Sequence, residues 1–246
     1  MFKKEWEMLK LFSGLHHPHL VTALSAFRQA GRLSFIFPYA PSDFERYKEA
    51  SYPPQGRSGA LWISAQLKGL IGAIDTMHNP KHLHDRLGPV KKYGRHNDIK
   101  CDNILCFRKS GTTDEVILVI SDFGLSAFNS DKSRSNIPNE SVPPVPGYRP
   151  PECDIEGGTI SRAFDIWTVG CLFLELITWF LGGPKYVKEF GEKRTTLFIN
   201  GSNNNIFFSF NNLLESGKSD GTKAILVKPE VTDVSRRCGQ RKDSFS

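Results

Sequence analysis

His96-Asn97-Asp98-Ile99-Lys100-Cys101-Asp102-Asn103-Ile104-Leu105 packs an aspartate, a lysine two residues later and an asparagine five residues after that aspartate into one polar run. Ser121-Asp122-Phe123-Gly124 follows, beyond two strand-like stretches, Ile104 to Phe107 and Glu115 to Ser121, joined by a polar turn at Lys109 to Thr113. An Asp or an Asn alone commonly shapes a turn. The pair at this spacing, with Asp-Phe-Gly downstream, is the layout that holds Mg·ATP beside a hydroxyl nucleophile. That chemistry needs a carboxylate to orient the hydroxyl, a cation on the transferred phosphate, and oxygen ligands for a hard Mg²⁺ ion. Asp98, Lys100, Asn103 and Asp122 supply the set.

These residues resemble the protein kinase family on its serine/threonine side, where Lys stands two after the catalytic Asp. Tyr93-Gly94-Arg95-His96 leading into the run resembles kinase-like proteins of filamentous fungi. The resemblance implies Asp98 and Lys100 as catalytic residues, with Asn103 and Asp122 as Mg²⁺ ligands. Other matches come in family order. Ile36 to Pro41 is similar to the hinge on which adenine sits, so Phe37, Pro38, Tyr39 and Ala40 are expected at the nucleotide, Phe37 guarding the pocket. Tyr148-Arg149-Pro150-Pro151-Glu152 looks like the end of the activation segment, whose Glu pairs in the family with an Arg near the C-terminus. Asp165-Ile166-Trp167 resembles the start of the central helix, whose Asp hydrogen-bonds the catalytic-loop backbone. The opening segment resembles the regulatory helix of the small lobe, with Glu5 as the partner of the ATP-anchoring Lys.

Working outward, Phe2, Trp6, Leu9 and Phe12 recur at helical steps, and Glu5 lies on their stripe. Leu33 to Tyr39 is strand-like, and Pro38, which cannot donate to a ladder, ends it or puts it on an edge. Ile63, Leu67, Leu70, Ile74 and Met77 predict a helix over 61–78 with a core-facing stripe. Pro80, Gly88 and Pro89 break the pattern, and Ser126 to Gly147 reads as an exposed loop open to modification or a partner. Asp165 to Leu181 is apolar on nearly every side, as in a helix wrapped by its domain. After Gly182 the pattern decays.

The 246 residues carry 32 Lys and Arg against 26 Asp and Glu, a net charge of +6 that suits nucleotides without demanding nucleic acid. The basic residues are dispersed, with no aromatic platform among them, so no nucleic-acid partner is expected. Five cysteines, odd in number and without paired spacings, argue for a reducing compartment, either cytoplasmic or nuclear. MFKKEWEMLK has no signal-peptide core. The longest apolar run, Ile166 to Leu181, carries Glu175 and falls short of the ~20 residues of a membrane span.

The expected fold is α+β, two-lobed and kinase-like: a partial small lobe over 1–39, a mostly helical large lobe over 40–233, and a basic, disordered tail over 234–246. The Gly-rich loop and the ATP-anchoring Lys that the resemblance implies before the regulatory helix are not found, so Glu5 is expected to lack its partner. Asn97 replaces an Arg that in many kinases receives a phosphate, Cys101 stands where Pro is usual, and Pro144-Val145 where Gly-Thr is. The function implied is transfer of the ATP γ-phosphate to Ser or Thr hydroxyls of a protein whose identity the sequence does not disclose. The alternative is an inactive pseudokinase scaffold or a fragment.

Overall fold

A computed structural model of the chain describes residues 17–30, 32–79, 92–109, 111, 115–123, 126–130, 137–139, 147–197, 203–212 and 223–240. The segment expected to form the opening helix, with Glu5, lies outside these residues, as do Gly124 and Pro144-Val145.

The chain pairs its strands mostly in local hairpins. Antiparallel β1 (Ser25–Gln29) and β2 (Arg32–Ile36) pair within the stretch expected to form the small lobe. As Pro38 requires, β2 stops at Ile36 and residues 37–40 leave the ladder. A three-stranded sheet orders β3 (Ser42–Asp43), β5 (Ile104–Arg108) and β6 (Val116–Ile120), all antiparallel. β4 (Lys92–Arg95), which precedes β5, pairs with β7 (Ala127–Ser130), which follows β6, so the pair brackets the polar run of the site in sequence. Further two-stranded pairs join β8 (Ile137–Pro138) to β9 (Thr159–Ile160), β10 (Thr196–Leu197) to β11 (Asn203–Asn204), and β12 (Phe208–Asn212) to β13 (Lys223–Val227).

Four helices are described. Asp43 caps α1 (Phe44–Ala50) by accepting the Arg46 amide at 2.9 Å. The expected stripe of Ile63, Leu70, Ile74 and Met77 is buried on α2 (Gly56–His78), which begins earlier than the periodicity suggests. Trp179, fully buried on α3 (Ala163–Arg194), gathers these helices: Phe44, Tyr47 and Trp62 pack on it with centroids at 5.7, 5.7 and 6.2 Å. Its indole N–H donates to the Ser51 carbonyl at 3.0 Å.

Three sequence expectations are corrected. Helicity does not end at Gly182. Gly183 turns the chain with φ 69° and ψ −161°, a region open only to Gly, and Pro184 then starts a second helical stretch that buries Phe190 and Arg194. The 32-residue α3 is long and apolar enough to cross a membrane by composition alone. Its buried, ion-paired Asp165 and Glu175 and its kink make it the core helix instead. The stretch from Ser126 is not all exposed loop: Ser126 is buried and β7 runs beside β4, a pairing across some 30 residues that local composition cannot signal. The tail from 234 is helical as far as Gln240 in α4 (Pro229–Gln240), because Val231 and Val234 put two apolar groups on one face against the core.

The outer side of β6 is closed by side chains and backbone from elsewhere. Trp62 Nε1 donates to the Val116 carbonyl at 2.7 Å, and Gln66 Oε1 accepts the Leu118 amide at 3.0 Å. Residues 19–21 run parallel to its end, with the Ile120 amide donating to the His19 carbonyl and the Val21 amide donating to the Ile120 carbonyl, both at 2.9 Å. The His19 ring, bonded to the Leu118 carbonyl at 2.6 Å, sits in a notch on α2 opened by Gly69. A methyl group at Gly69 would overlap that imidazole, which its hydrogen bond holds in place. Gly69→Ala is therefore expected to cost ~1–3 kcal/mol in a urea titration, despite the better helix propensity of Ala. A stabilised variant would refute the notch.

Candidate active site

The polar run folds as a tight loop between β4 and β5. A 3₁₀ turn at Cys101–Asn103 ends it and Ile99, Cys101 and Ile104 anchor it in the core at 0% exposure. Asn103 is its keystone. Its Nδ2 donates to the Asp98 carbonyl at 2.7 Å and to Asp98 Oδ2 at 2.8 Å. Both hydrogens of the Asn103 amide are thus spent on Asp98, which leaves Asn103 Oδ1 as the accepting end of that side chain. Lys100 Nζ reaches Asp98 Oδ2 at 3.2 Å. Asp98, Lys100 and Asn103 therefore converge on one carboxylate.

Asp122 joins them through its neighbour. The Ser121 amide and hydroxyl both donate to the Asn103 carbonyl, at 2.9 and 3.0 Å, tying the end of β6 to the loop. Asp122 itself is exposed and adopts φ 64°, a left-handed conformation in which Asp is tolerated. Phe123, 2% exposed, packs edge-on to His96 with centroids at 5.5 Å. Phe37, Pro38, Tyr39 and Ala40 follow β2; Phe37 is partly exposed beside Phe35 and Tyr39 is 85% exposed. No contact among the described residues brings these four to the loop, and Glu5 lies outside them.

Asp165, in the first turn of α3 and fully buried, holds the loop's backbone. Its Oδ2 accepts the His96 amide and its Oδ1 the Asn97 amide, both at 2.8 Å, and His78 Nε2 meets Oδ2 at 2.8 Å. Burial alone would raise this carboxyl's pKa. The hydrogen bond and charge of His78, with His96 and the amides, outweigh burial and hold it below the usual range. Asn97, where the family has Arg, sits at φ 67°, a conformation Asn visits more readily than most residues.

His96 is fully buried, and burial lowers its pKa against the opposing pull of Asp165, the Ser121 carbonyl, Asp98 and Asp122. The neutral ring has one tautomer that fits: Nε2–H donates to the Ser121 carbonyl at 3.0 Å and Nδ1 accepts the Asp98 amide at 3.3 Å. A proton on Nδ1 would face that amide. Burial lowers His17 and His19 as well. A depressed histidine pKa means that the unfolded chain binds the extra proton first, so this stability is complete above the unfolded value of about 6.5. It is lost as pH falls from there through the folded values, by at most ~1.4 kcal/mol per pH unit per group. Thermal melts are expected to fall between pH 7 and pH 5.5, less steeply in His19→Asn; a flat profile would refute it.

Sequence reasoning missed a second polar cluster beneath the loop. Lys48 of α1, buried, lies 2.6 Å from Glu175 Oε2, 2.7 Å from Glu45 Oε2 and 3.5 Å from Cys101 Sγ. Tyr148 meets the same sulfur at 3.1 Å, and Arg194 Nη2 donates to Glu175 Oε1 at 3.1 Å. Burial works against ionising Glu175, but Lys48, Arg194 and Tyr148 hold its pKa low. Glu45, Cys101 and Glu175 bring ligand-type atoms within 4.8 Å of one another, but the Lys48 ammonium already stands among them. The missed signal was Glu175 itself, since a carboxylate inside an apolar run requires a cation from another element. The backbone at the expected end of the activation segment is held by Asn139, whose Nδ2 lies 3.0, 3.2 and 2.8 Å from the carbonyls of Glu152, Cys153 and Ile155.

The sequence pattern of the family described as "Protein kinase domain" matches residues 2–189. The chain is similar to the CTD kinase subunit alpha of Schizosaccharomyces pombe, 28% identical over 171 residues, 69% of this chain and 25% of that protein. It is 27% identical over 173 residues to human cyclin-dependent kinase-like 4, covering 69% of this chain and 38% of that protein. It is 26% identical over 162 residues to cyclin-dependent kinase 2 of Caenorhabditis elegans, covering 66% and 38%. The chain thus spans between a quarter and about two fifths of the length of these relatives.

Proposed function

The chain belongs to the protein kinase family, and on that premise we propose that it is the catalytic part of an ATP-dependent serine/threonine protein kinase. The observation that carries the reading is the single hydrogen-bonded unit of Asp98, Lys100 and Asn103, with Asp122 tied to it through Ser121. In it Asp98 accepts the hydrogen of a substrate hydroxyl and aims its oxygen, while Lys100 offers a positive charge to the phosphoryl group in flight. Asn103 Oδ1 and the Asp122 carboxylate are oxygen donors of the kind Mg²⁺ takes, and the pinned Asn103 amide fits such a role. Bound Mg²⁺ would neutralise the charge of the ATP phosphates. Asp165 and His96 contribute by holding the backbone at 96–98, so that Asp98 is in position before substrate arrives. Phe37 to Ala40 and Glu5 are assigned to the nucleotide side of the cleft on the family pattern alone. An ATP-dependent reaction and unpaired thiols both fit a reducing, ATP-rich compartment, and cytoplasm or nucleus is the reading they support.

Mg·ATP at about a hundredfold over its Kd is expected to stabilise the chain by ~2.7 kcal/mol in a thermal melt. Asp122→Asn, which suits the left-handed backbone at this position, should melt close to the parent temperature without nucleotide and lose most of the shift. A parent chain indifferent to Mg·ATP would refute the reading and favour a scaffold that binds partners without transferring phosphate.

A further inference from the structure

The polar loop is held at both ends. Asp165 fixes the amides of His96 and Asn97, and Ser121 fixes the carbonyl of Asn103. Between those ends stands Cys101, fully buried, one residue after Lys100 and at the position where Pro is usual in the family. A proline there has no polar side-chain atom. The thiol meets three polar partners: Tyr148 Oη at 3.1 Å, Lys48 Nζ at 3.5 Å and Glu175 Oε2 at 3.5 Å. They come from the expected end of the activation segment, from α1 and from α3.

Donors and acceptors in this cluster match one to one. The Lys48 ammonium has three hydrogens and three acceptors, Glu175 Oε2 at 2.6 Å, Glu45 Oε2 at 2.7 Å and the Cys101 sulfur. The sulfur therefore accepts from Lys48 and has one hydrogen to give. Burial and the charge of Glu175 push the thiol's pKa well up, against the pull of Lys48 and Tyr148, so that hydrogen stays on the sulfur. The Tyr148 hydroxyl also has one hydrogen, and a carboxylate is a far better acceptor than sulfur. Tyr148 thus donates to Glu175, whose pKa it helps to lower, and its oxygen is left to accept from the thiol. The circuit runs from Lys48 to Cys101, Tyr148 and Glu175 and closes at Lys48. Alanine or proline at 101 would strand one Lys48 hydrogen and the Tyr148 oxygen in a buried place.

We propose that Cys101 is a positioning residue for phosphate transfer: its thiol, bonded to Lys48 on one side and to Tyr148 on the other, fixes the middle of the loop and with it the 3.2 Å approach of Lys100 to Asp98. The Lys100 side chain is 31% exposed, so its place is set by the backbone that carries it rather than by packing around it. The positioning role rests on the kinase reading above; the hydrogen-bond circuit does not.

The test has two readouts. The first is the infrared S–H stretch of Cys101, isolated by subtracting the spectrum of Cys101→Ala. It is expected below that of ethanethiol in hexane, as for a bonded thiol, and should rise in Tyr148→Phe, which keeps the ring and removes the acceptor. A parent band at the free-thiol frequency, or one that Tyr148→Phe leaves in place, would overturn the circuit. The second is kinetic. Cys101→Ala is expected to lower kcat about tenfold with the KM for ATP unchanged, inside the ~10²-fold that a misplacement of about 1 Å can cost. Cys101→Ser, whose hydroxyl accepts and donates as the thiol does, should recover most of that loss, whereas Cys101→Val, which fills the space without a polar atom, should not. Equal kcat in the alanine, valine and serine variants would overturn the positioning role. A shifted S–H band in a parent chain that transfers no phosphate would count against the kinase reading and leave the circuit standing, and transfer with an unshifted band against the circuit alone.

Discussion

Asp98→Asn is expected to lower phosphate transfer by about 10²- to 10⁴-fold, the range of a positioned acid–base group, with little change in melting temperature. The geometry explains why the fold should survive. An asparagine at 98 still offers one oxygen, and that oxygen can accept from Asn103 Nδ2 and Lys100, which now reach Asp98 Oδ2 at 2.8 and 3.2 Å. The main-chain bond from Asn103 to the residue 98 carbonyl is untouched. The loss is confined to the second carboxylate oxygen, replaced by an NH₂ group that can only donate and so cannot take a hydroxyl's hydrogen. Initial rates with ATP and a mixed peptide pool, beside a thermal melt, separate the two effects. A kcat close to that of the parent would remove Asp98 from the mechanism.

Asp165→Ala should act first on the fold, and on the chemistry only through the placing of Asp98. Removing this carboxylate strands the His96 and Asn97 amides and the His78 imidazole in a fully buried position. At ~1–3 kcal/mol for each stranded polar group, about 3–5 kcal/mol is expected, a large share of the 5–15 kcal/mol by which domains are usually stable. Asp165→Asn should cost less, since its oxygen can still serve one amide. Urea midpoints at constant slope read the difference, and a loss below about 1 kcal/mol in the alanine variant would show that the loop is held by something else.

What could be read from sequence was what lies close in sequence. Asp98, Lys100 and Asn103 fall within six residues, so their spacing already marked them as one site, whereas the carboxylate they share appears only in the fold. The buried stripe of α2 was legible for the same reason, each residue announcing its face through the helical period. The role of Asp165 was legible only through resemblance, because its partners lie 68 to 87 residues away. Lys48 and Arg194 were invisible. Their link to Glu175 spans 127 residues for Lys48, and Arg194 lies beyond the turn at Gly183 where periodicity breaks. The same limit hid β7, whose partner β4 stands beyond the whole catalytic loop.

The closure of β6 carries a consequence for how copies of this chain behave towards one another. Its sheet ends at that strand, and an open edge offers a ladder on which a second molecule can add a strand. Here the Val116 carbonyl, the Leu118 amide and both Ile120 groups are already taken, by an indole, a carboxamide and the backbone of residues 19–21. A strand-prone, very apolar segment, Val-Ile-Leu-Val-Ile, is thereby kept from templating aggregation by two side chains of a neighbouring helix together with the backbone of residues 19–21.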